Sequence, residues 1–245
     1  MNILSTCDYI LAEDSRVTLG LLQKLGINSK VYSYHKFTEK KFLLKHIDEM
    51  KTGKNIGLVS DAGTPAVSDP GKYLVNAALN ENIKVVPVPG PSAAAVAFSC
   101  SGSMSDSFVF AGFLPSKGAE RIKELEKFLS FGLPVIFYEA PTRIKDLVER
   151  LASMKARIVI FRELTKMFEE IFVYDGREIK EKGEFTVVAE LMENTNETKE
   201  IDSQLLEILK KSELSNKDAA ELVARIYPKL GKNEIKKIFI ESKQK

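Results

Sequence analysis

The chain has 245 residues, 44% hydrophobic and 29% charged, enough to bury one large or two modest cores and too apolar for a disordered tail. Its 36 Lys and Arg against 34 Asp and Glu leave a formal charge of +2, so nucleic-acid contact would need a local basic patch rather than a global field. Two cysteines, Cys7 and Cys100, exclude a disulfide framework. They sit in no metal-ligand spacing and read as buried, inert hydrophobes in a reducing cytosol. No window reaches the apolar length of a membrane span, and M-N-I-L-S-T-C-D lacks a basic start and meets Glu13 and Asp14 too soon for a secretory signal. A soluble, cytoplasmic protein with no metal is expected.

In chain order, D-Y-I-L-A-E, V-Y-S-Y, N-I-G-L-V, K-V-V-P-V, S-F-V-F-A-G-F, P-V-I-F-Y, A-R-I-V-I-F and E-F-T-V-V-A-E-L read as strands. Between them lie helical stripes: Phe42, Leu43, His46, Ile47 and Met50 share one face, and Ile144, Leu147, Val148 and Leu151 another. His46, on an apolar stripe, reads as a packed core histidine. The alternation implies an α/β fold with a largely parallel sheet in the first half. Breaks in the rhythm divide the chain into an α/β lobe over 1–112, a second over 113–193, a polar linker over 194–200 and a helical segment over 201–245. In that segment Ser215 and Asp218 cap a middle helix, and Arg225, Lys229, Lys232, Lys236 and Lys237 make the tail basic.

Two turns point to a ligand. N-I-G-L-V runs into S-D-A-G-T-P-A-V-S-D-P-G, and K-V-V-P-V runs into P-G-P-S-A-A-A. Both keep every side chain small after a strand, where ligands of open α/β sheets sit. Gly63 and Gly71 permit close approach, and Pro70 suits the first turn of the helix K-Y-L-V-N-A-A-L. Either turn alone could be a structural loop; together they form a slot for a planar ligand. There is no G-x-G-x-x-G and no G-x-x-x-x-G-K-[ST], so a nucleoside without polyphosphate, carrying an amino-acid tail, fits better than a dinucleotide or ATP.

D-Y-I-L-A-E-D-S-R (8–16), V-S-D-A-G-T-P-A-V-S-D-P-G (59–71), V-P-G-P-S-A (88–93), F-A-G-F-L-P-S-K (110–117), F-Y-E-A-P-T-R (137–143) and R-E-L-T-K (162–166) resemble, in order, the motifs of the bacterial 16S rRNA cytidine-2′-O-methyltransferases, which are tetrapyrrole-methylase-like, class III S-adenosylmethionine-dependent enzymes. The resemblance implies two α/β lobes with S-adenosylmethionine in the cleft between them, a homodimer, and methylation of a ribose hydroxyl on a cytidine in the decoding region of 16S rRNA, free or in the small subunit. Position by position it places Asp61, Ala62, Gly63, Thr64 and Pro65 along the cofactor, Ser92 and Ala93 on the neighbouring turn, Tyr138 and Leu164 across from them, and Glu13, Asp14 and Arg16 on the reaction side. The sequence departs from the family in two places. The family's initial strand and Gly-Asn-Leu loop are not seen before Asp8, for which a misassigned start is the expected cause, and His-x-His-Asn-Glu becomes H-K-F-T-E after His35.

Methyl transfer to a hydroxyl needs alignment and a proton acceptor. Glu13, Asp14, Glu163 and Lys166 are the candidates; Asp14 could equally be a helix cap, and Lys166 a solvated lysine or phosphate contact. Lys117, Arg121, Arg143, Arg162, Arg16 and the basic tail are expected to meet phosphates. Phe37 or Phe113 could stack on a base, although core packing is the preferred reading. Two other classes stay open: a methylase with a tetrapyrrole or protein acceptor, and a non-catalytic RNA-binding or ribosome-assembly factor.

Overall fold

The computed structural model describes residues 2–35, 38–192, 205, 207–209, 212, 214–226 and 235. Phe37, the linker 194–200 and Lys229, Lys232, Lys236 and Lys237 lie outside the described residues. The chain divides into two compact units, Met1–Leu191 and Met192–Lys245.

A short helix α1 (Asn2–Ser5) precedes β1 (Tyr9–Ala12), the middle strand of a three-stranded parallel sheet of order β2-β1-β3, with β2 at Val31–Ser33 and β3 at Ile56–Val59. A middle strand of a parallel sheet is covered on both faces, which explains why Y-I-L-A is apolar without alternation and why all four residues are buried. Helices α2 (Ser15–Lys24), α3 (Glu39–Lys51) and α4 (Lys72–Asn80) follow the three strands in turn. Tyr9, Leu11, Tyr34, Ile47, Leu74 and Ala78 form one core there.

The second sheet has order β4-β5-β8-β6-β7, from β4 (Val109–Phe113), β5 (Val135–Glu139), β6 (Ala156–Arg162), β7 (Glu170–Val173) and β8 (Phe185–Leu191). Only β4 and β5 are parallel; the other three pairings are antiparallel. Its strands show the two-residue period directly. Val135, Phe137, Ile158 and Ile160 enter a core that also holds Leu125 and Leu129 of α6 (Ala119–Leu129) and the Ile144, Leu147, Val148 and Leu151 stripe of α7 (Ile144–Ser153). Ile136, Val159, Phe161 and Val188 face the other way, onto Ala94 and Ala97 of α5 (Ala93–Cys100). Thus α5, which the sequence reading gave to the first lobe, packs on the second sheet, and a boundary at 112/113 cuts through β4.

Several expectations need correction. K-V-V-P-V forms no strand: residues 84–88 pair with no strand among the described residues, the outer edge of β3 stays open, and Val86 and Val88 are more than half exposed. The strand β7 was not foreseen, because E-I-F-V is short and lies at the sheet edge, pairing with β6 alone. Pro70 precedes the N-cap of α4 instead of opening its first turn. That cap is Gly71, at φ +130°, where an added Cβ would come 2.5 Å from Leu58 Cδ2. Cys100 is exposed and Cys7 only partly buried, and Phe113 is 52% exposed rather than core.

In the second unit, α8 (Asn216–Ile226) starts as the sequence indicates: the Asp218 N–H donates to Ser215 Oγ at 3.2 Å. Ala219 and Val223, four residues apart, are buried. No described helix is long and apolar enough to cross a membrane.

Candidate active site

The first turn leaves β3 beside the end of β1. The Glu13 N–H donates to Val59 O, and the two chains then exchange polar contacts: the Asp14 N–H donates to Asp61 Oδ1 at 3.1 Å, and the Asp61 N–H reaches Glu13 Oε2 at 3.5 Å. Asp61, Ala62 and Gly63 are exposed, so this stretch presents backbone and one carboxylate to whatever binds. Gly63 has φ +78°, and an added Cβ would lie 3.6 Å from Pro91 O. The positive φ is what favours glycine here, since a Cβ at that distance makes ordinary contact. Thr64 Oγ1 donates to Pro91 O at 3.0 Å and fastens the two turns together.

The second turn is tied in its turn to the second sheet. Ser92 is the N-cap of α5, and the Ala94 N–H donates to the Tyr138 hydroxyl at 3.2 Å. Burial pushes the Tyr138 hydroxyl above its usual pKa, against the Ala94 hydrogen bond, and the Asp69 carboxylate adds to the rise; the phenol stays protonated. Phe110 and Phe113 pack edge-on to the Tyr138 ring, at 5.0 and 5.7 Å between centroids, and Leu164 joins the same cluster. Thr64 thus links the turn of Asp61–Pro65 to the turn of Ser92 and Ala93, the latter is tied to Tyr138, and Leu164 packs in the cluster that holds Tyr138. Ala66 and Ser68 in the first turn, and Glu163 and Thr165 in the loop after β6, have positive φ without being glycine. Such strain persists only where surrounding structure imposes it, and it concentrates in these two loops.

The four proton-acceptor candidates separate by their partners. Asp14 is the N-cap of α2, accepting from the Arg16 N–H and the Arg16 guanidinium, and its carboxyl is held down to about 2 by those bonds. Glu163 accepts from the Glu184 N–H at 2.8 Å and from Lys166 at 3.1 Å, in that order of effect, and is held below the usual carboxylate range. Partial burial works against the Lys166 charge, but its bonds to Glu184 and Glu163 outweigh that and raise its pKa. Glu13 alone keeps its carboxylate free of a short hydrogen bond among the described residues. No direct contact joins the Glu163–Lys166 pair to Glu13 and Asp14 among the described residues.

The cationic candidates divide as sharply. Arg121 is 3% exposed: its guanidinium donates to Glu139 Oε2 at 2.6 Å, to Asp146 and to Pro115 O. Arg162 is buried and bonded to Glu170 and Lys182 O. Arg143 donates to Glu139 Oε1 at 2.8 Å. Arg121 and Arg162 are corrected from phosphate contacts to parts of the second sheet's ion-pair framework, since a guanidinium buried against carboxylates and carbonyls is not presented to an RNA phosphate, whereas Arg143 is only partly buried and, among the described residues, is bonded through Nε alone. Arg16 and Lys117 remain exposed. Composition could not separate the two groups, because burial of an arginine depends on which carboxylate folds against it.

Sequence reasoning missed a cavity of about 610 Å³ next to these turns, where Ser68, Asp69 and Tyr73 face Phe110 and Phe113, with Lys40 and Lys72 at its edge. Among the described residues no cluster of His, Cys, Asp and Glu could hold a metal ion.

Two small-residue turns, one leaving β3 and one leading into α5, are tied to each other and to an aromatic of the second sheet in a two-sheet α/β fold, and residues 1–180 match the family of tetrapyrrole (corrin/porphyrin) methylases. The chain belongs to that family. It is 38% identical to the ribosomal RNA small subunit methyltransferase I of Vibrio cholerae over 99% of this chain and 88% of that one. Against the protein of the same name from Halalkalibacterium halodurans the identity is 40%, over 76% and 68% of the two chains. Among solved structures, the uroporphyrin-III C-methyl transferase of Thermus thermophilus complexed with S-adenosylhomocysteine shares the fold, with a TM-score of 0.51 at 16% identity over 76% of this chain and 87% of that one.

Proposed function

We propose that this chain is a methyltransferase that uses S-adenosylmethionine to methylate the 2′-hydroxyl of a cytidine ribose in the decoding region of 16S rRNA, in the cytoplasm. The observation that supports the cofactor is the cradle formed by residues 61–65 and 92–94. It offers backbone N–H and C=O groups and the Asp61 carboxylate, with no Lys or Arg from 60 to 71. A polyphosphate would find no cation there, whereas a neutral nucleoside with a charged tail finds partners.

In this reading Asp61, Ala62, Gly63, Thr64 and Pro65 hold the cofactor from one side and Ser92 and Ala93 from the other, with Tyr138 and Leu164 covering it. When bound, S-adenosylmethionine supplies an electrophilic methyl group on a sulfonium. The protein's task is then to fix the ribose oxygen in line and accept its proton. Alignment of this kind is worth roughly 7–11 kcal/mol of barrier in favourable cases. Glu13, beside Asp61 and without a short competing bond, takes the proton at its carboxylate. Asp14, already capping α2, holds Arg16 in place, and Arg16 and Lys117 meet RNA phosphates.

Saturation with S-adenosylhomocysteine at a hundred times its Kd is expected to raise the unfolding free energy by about 2.7 kcal/mol. Labelled methyl is expected to appear in 16S rRNA as 2′-O-methylcytidine after nuclease digestion. Stabilisation without label in RNA would instead favour a tetrapyrrole or protein acceptor, and no stabilisation would favour a binding protein.

We also read the chain as a homodimer. Along edge strand β7 and the loop before it, Met167, Phe168, Ile171 and Val173 are exposed, Met167 to 90%, and monomeric proteins seldom leave such a strip uncovered. Sedimentation velocity is expected to give twice the 27.4 kDa chain mass; a single chain's mass overturns this reading.

A further inference from the structure

The turn of Asp61 leaves the carboxyl end of β3, and Glu13 follows the carboxyl end of β1. At the opposite ends, where Tyr9 opens β1, Lys30 precedes β2 and Lys54 precedes β3, lies a separate cavity of about 460 Å³ against α3. The candidate active site makes no use of it.

Its floor is a closed hydrogen-bond set. The Tyr9 hydroxyl donates to Glu49 Oε2 at 2.5 Å and sits 2.8 Å from His46 Nδ1. A hydroxyl has one proton, so with that proton given to Glu49 the Nδ1 must carry a hydrogen and donate to the phenol oxygen. Burial lowers the His46 pKa, which favours the neutral ring. Glu49 stays ionised, held by Tyr9 and by Lys54 Nζ at 3.1 Å. Asp8, the other acid in the cavity, accepts the Asn55 N–H at 2.7 Å. The floor is therefore satisfied and rigid, a support and not a reactive centre.

The rim has charge left over. Lys30, Lys45 and Lys54 face Asp8 and Glu49, so with neutral His46 the cavity holds one net positive charge, three minus two. Lys54 is paired, but neither Lys30 nor Lys45 forms an ion pair among the described residues. The same lining includes two aromatic side chains. The Tyr32 ring is half exposed and locked edge-on against Tyr9, at 5.2 Å and 88°, and Phe42 shows its ring from α3. Partly exposed aromatic rings, Phe42 with Lys41 Nζ over one face at 5.3 Å, and lysines without ion pairs in the same lining match a base and its phosphate. A metal would want the acids free, and a hydrophobic peptide would leave the lysines unused.

We infer that this cavity is a second RNA subsite: it takes an unpaired nucleotide of the substrate other than the methylated one, its base against Tyr32 and Phe42 and its phosphate on Lys30 and Lys45. The inference rests on the rRNA reading. It also gives that reading a way to hold an RNA strand at both ends of one sheet, about 13 Å apart for four-residue strands.

The test is fluorescence anisotropy of the full chain with an RNA fragment spanning the 16S decoding region, across a salt series, alongside S-adenosylhomocysteine titration. The double variant K30Q/K45Q is expected to weaken RNA binding about tenfold near physiological salt and to flatten the slope of log K against log salt by roughly 0.7, the value for one single-strand phosphate contact. Phe42→Ala is expected to weaken it about tenfold through lost stacking, with the salt slope unchanged. Affinity for S-adenosylhomocysteine stays at the wild-type value in both variants. Wild-type RNA affinity and slope in K30Q/K45Q overturn the subsite and leave the rRNA reading standing. An effect of the lysines with none from Phe42 also overturns it as a nucleotide site. A wild-type chain that binds no RNA while binding S-adenosylhomocysteine overturns both readings.

Discussion

Replacing Glu13 by glutamine is expected to slow methyl transfer to rRNA by about 10²–10⁴-fold, the usual range for losing a positioned general base, while leaving S-adenosylhomocysteine affinity unchanged. Glutamine keeps the length of the side chain and an oxygen for the long Asp61 N–H contact, so the first turn should hold its shape. The same substitution at the other three acceptor candidates serves as contrast. Asp14→Asn should lower thermal stability by removing a charged cap, with a smaller effect on rate, because its carboxylate is occupied by Arg16. Glu163→Gln and Lys166→Met should act together, since each is the other's partner. Single-turnover methyl incorporation decides the matter: wild-type rate in Glu13→Gln, with loss in Glu163→Gln, would move the proton acceptor to the loop after β6.

Arg121→Leu is expected to cost about 3–5 kcal/mol of unfolding free energy, read by urea denaturation, because it leaves Glu139 and Asp146 facing a cation that is gone. The Glu139 side chain has no exposure at all, although it keeps Arg143 and the Ala140 N–H, which places the expected loss toward the lower end of that range. The RNA affinity of the folded variant should equal that of wild type. If stability were intact and RNA binding fell, Arg121 would be a phosphate contact after all. The double variant R121L/E139L should recover part of the loss, since an apolar pair of similar volume often replaces a buried ion pair without penalty.

Much of the fold was legible because it follows from local periodicity. The Y-I-L-A run, the Ile144 to Leu151 stripe and the Ser215 cap all form where the pattern puts them, since burial on both faces of a strand, or one face of a helix, is written in the order of apolar residues. K-V-V-P-V has a good strand pattern, yet forms none, because a strand exists only where the tertiary fold brings its backbone into register with another edge, and here it is not brought onto the open edge of β3. β7 is the converse case: a poor pattern made into a strand by its neighbour β6. The candidate site was legible through its small residues. Its proton acceptor was not, because four titratable side chains differ only in what surrounds them.

By itself the sequence determined the α/β class, the two slender turns and the absence of a phosphate-binding fingerprint, all of which are properties of contiguous residues. Only the tertiary structure decided that α5 belongs to the second sheet, that Arg121 and Arg162 are internal ties while Arg16 and Lys117 face water, and that Tyr9, His46 and Glu49 floor a second cavity. The physical reason is common to all three. A charge or a hydroxyl takes its role from partners 8 to 56 positions away, as Arg162 does from Glu170 and Arg157 from Ser101 O, and such separations leave no trace in local order.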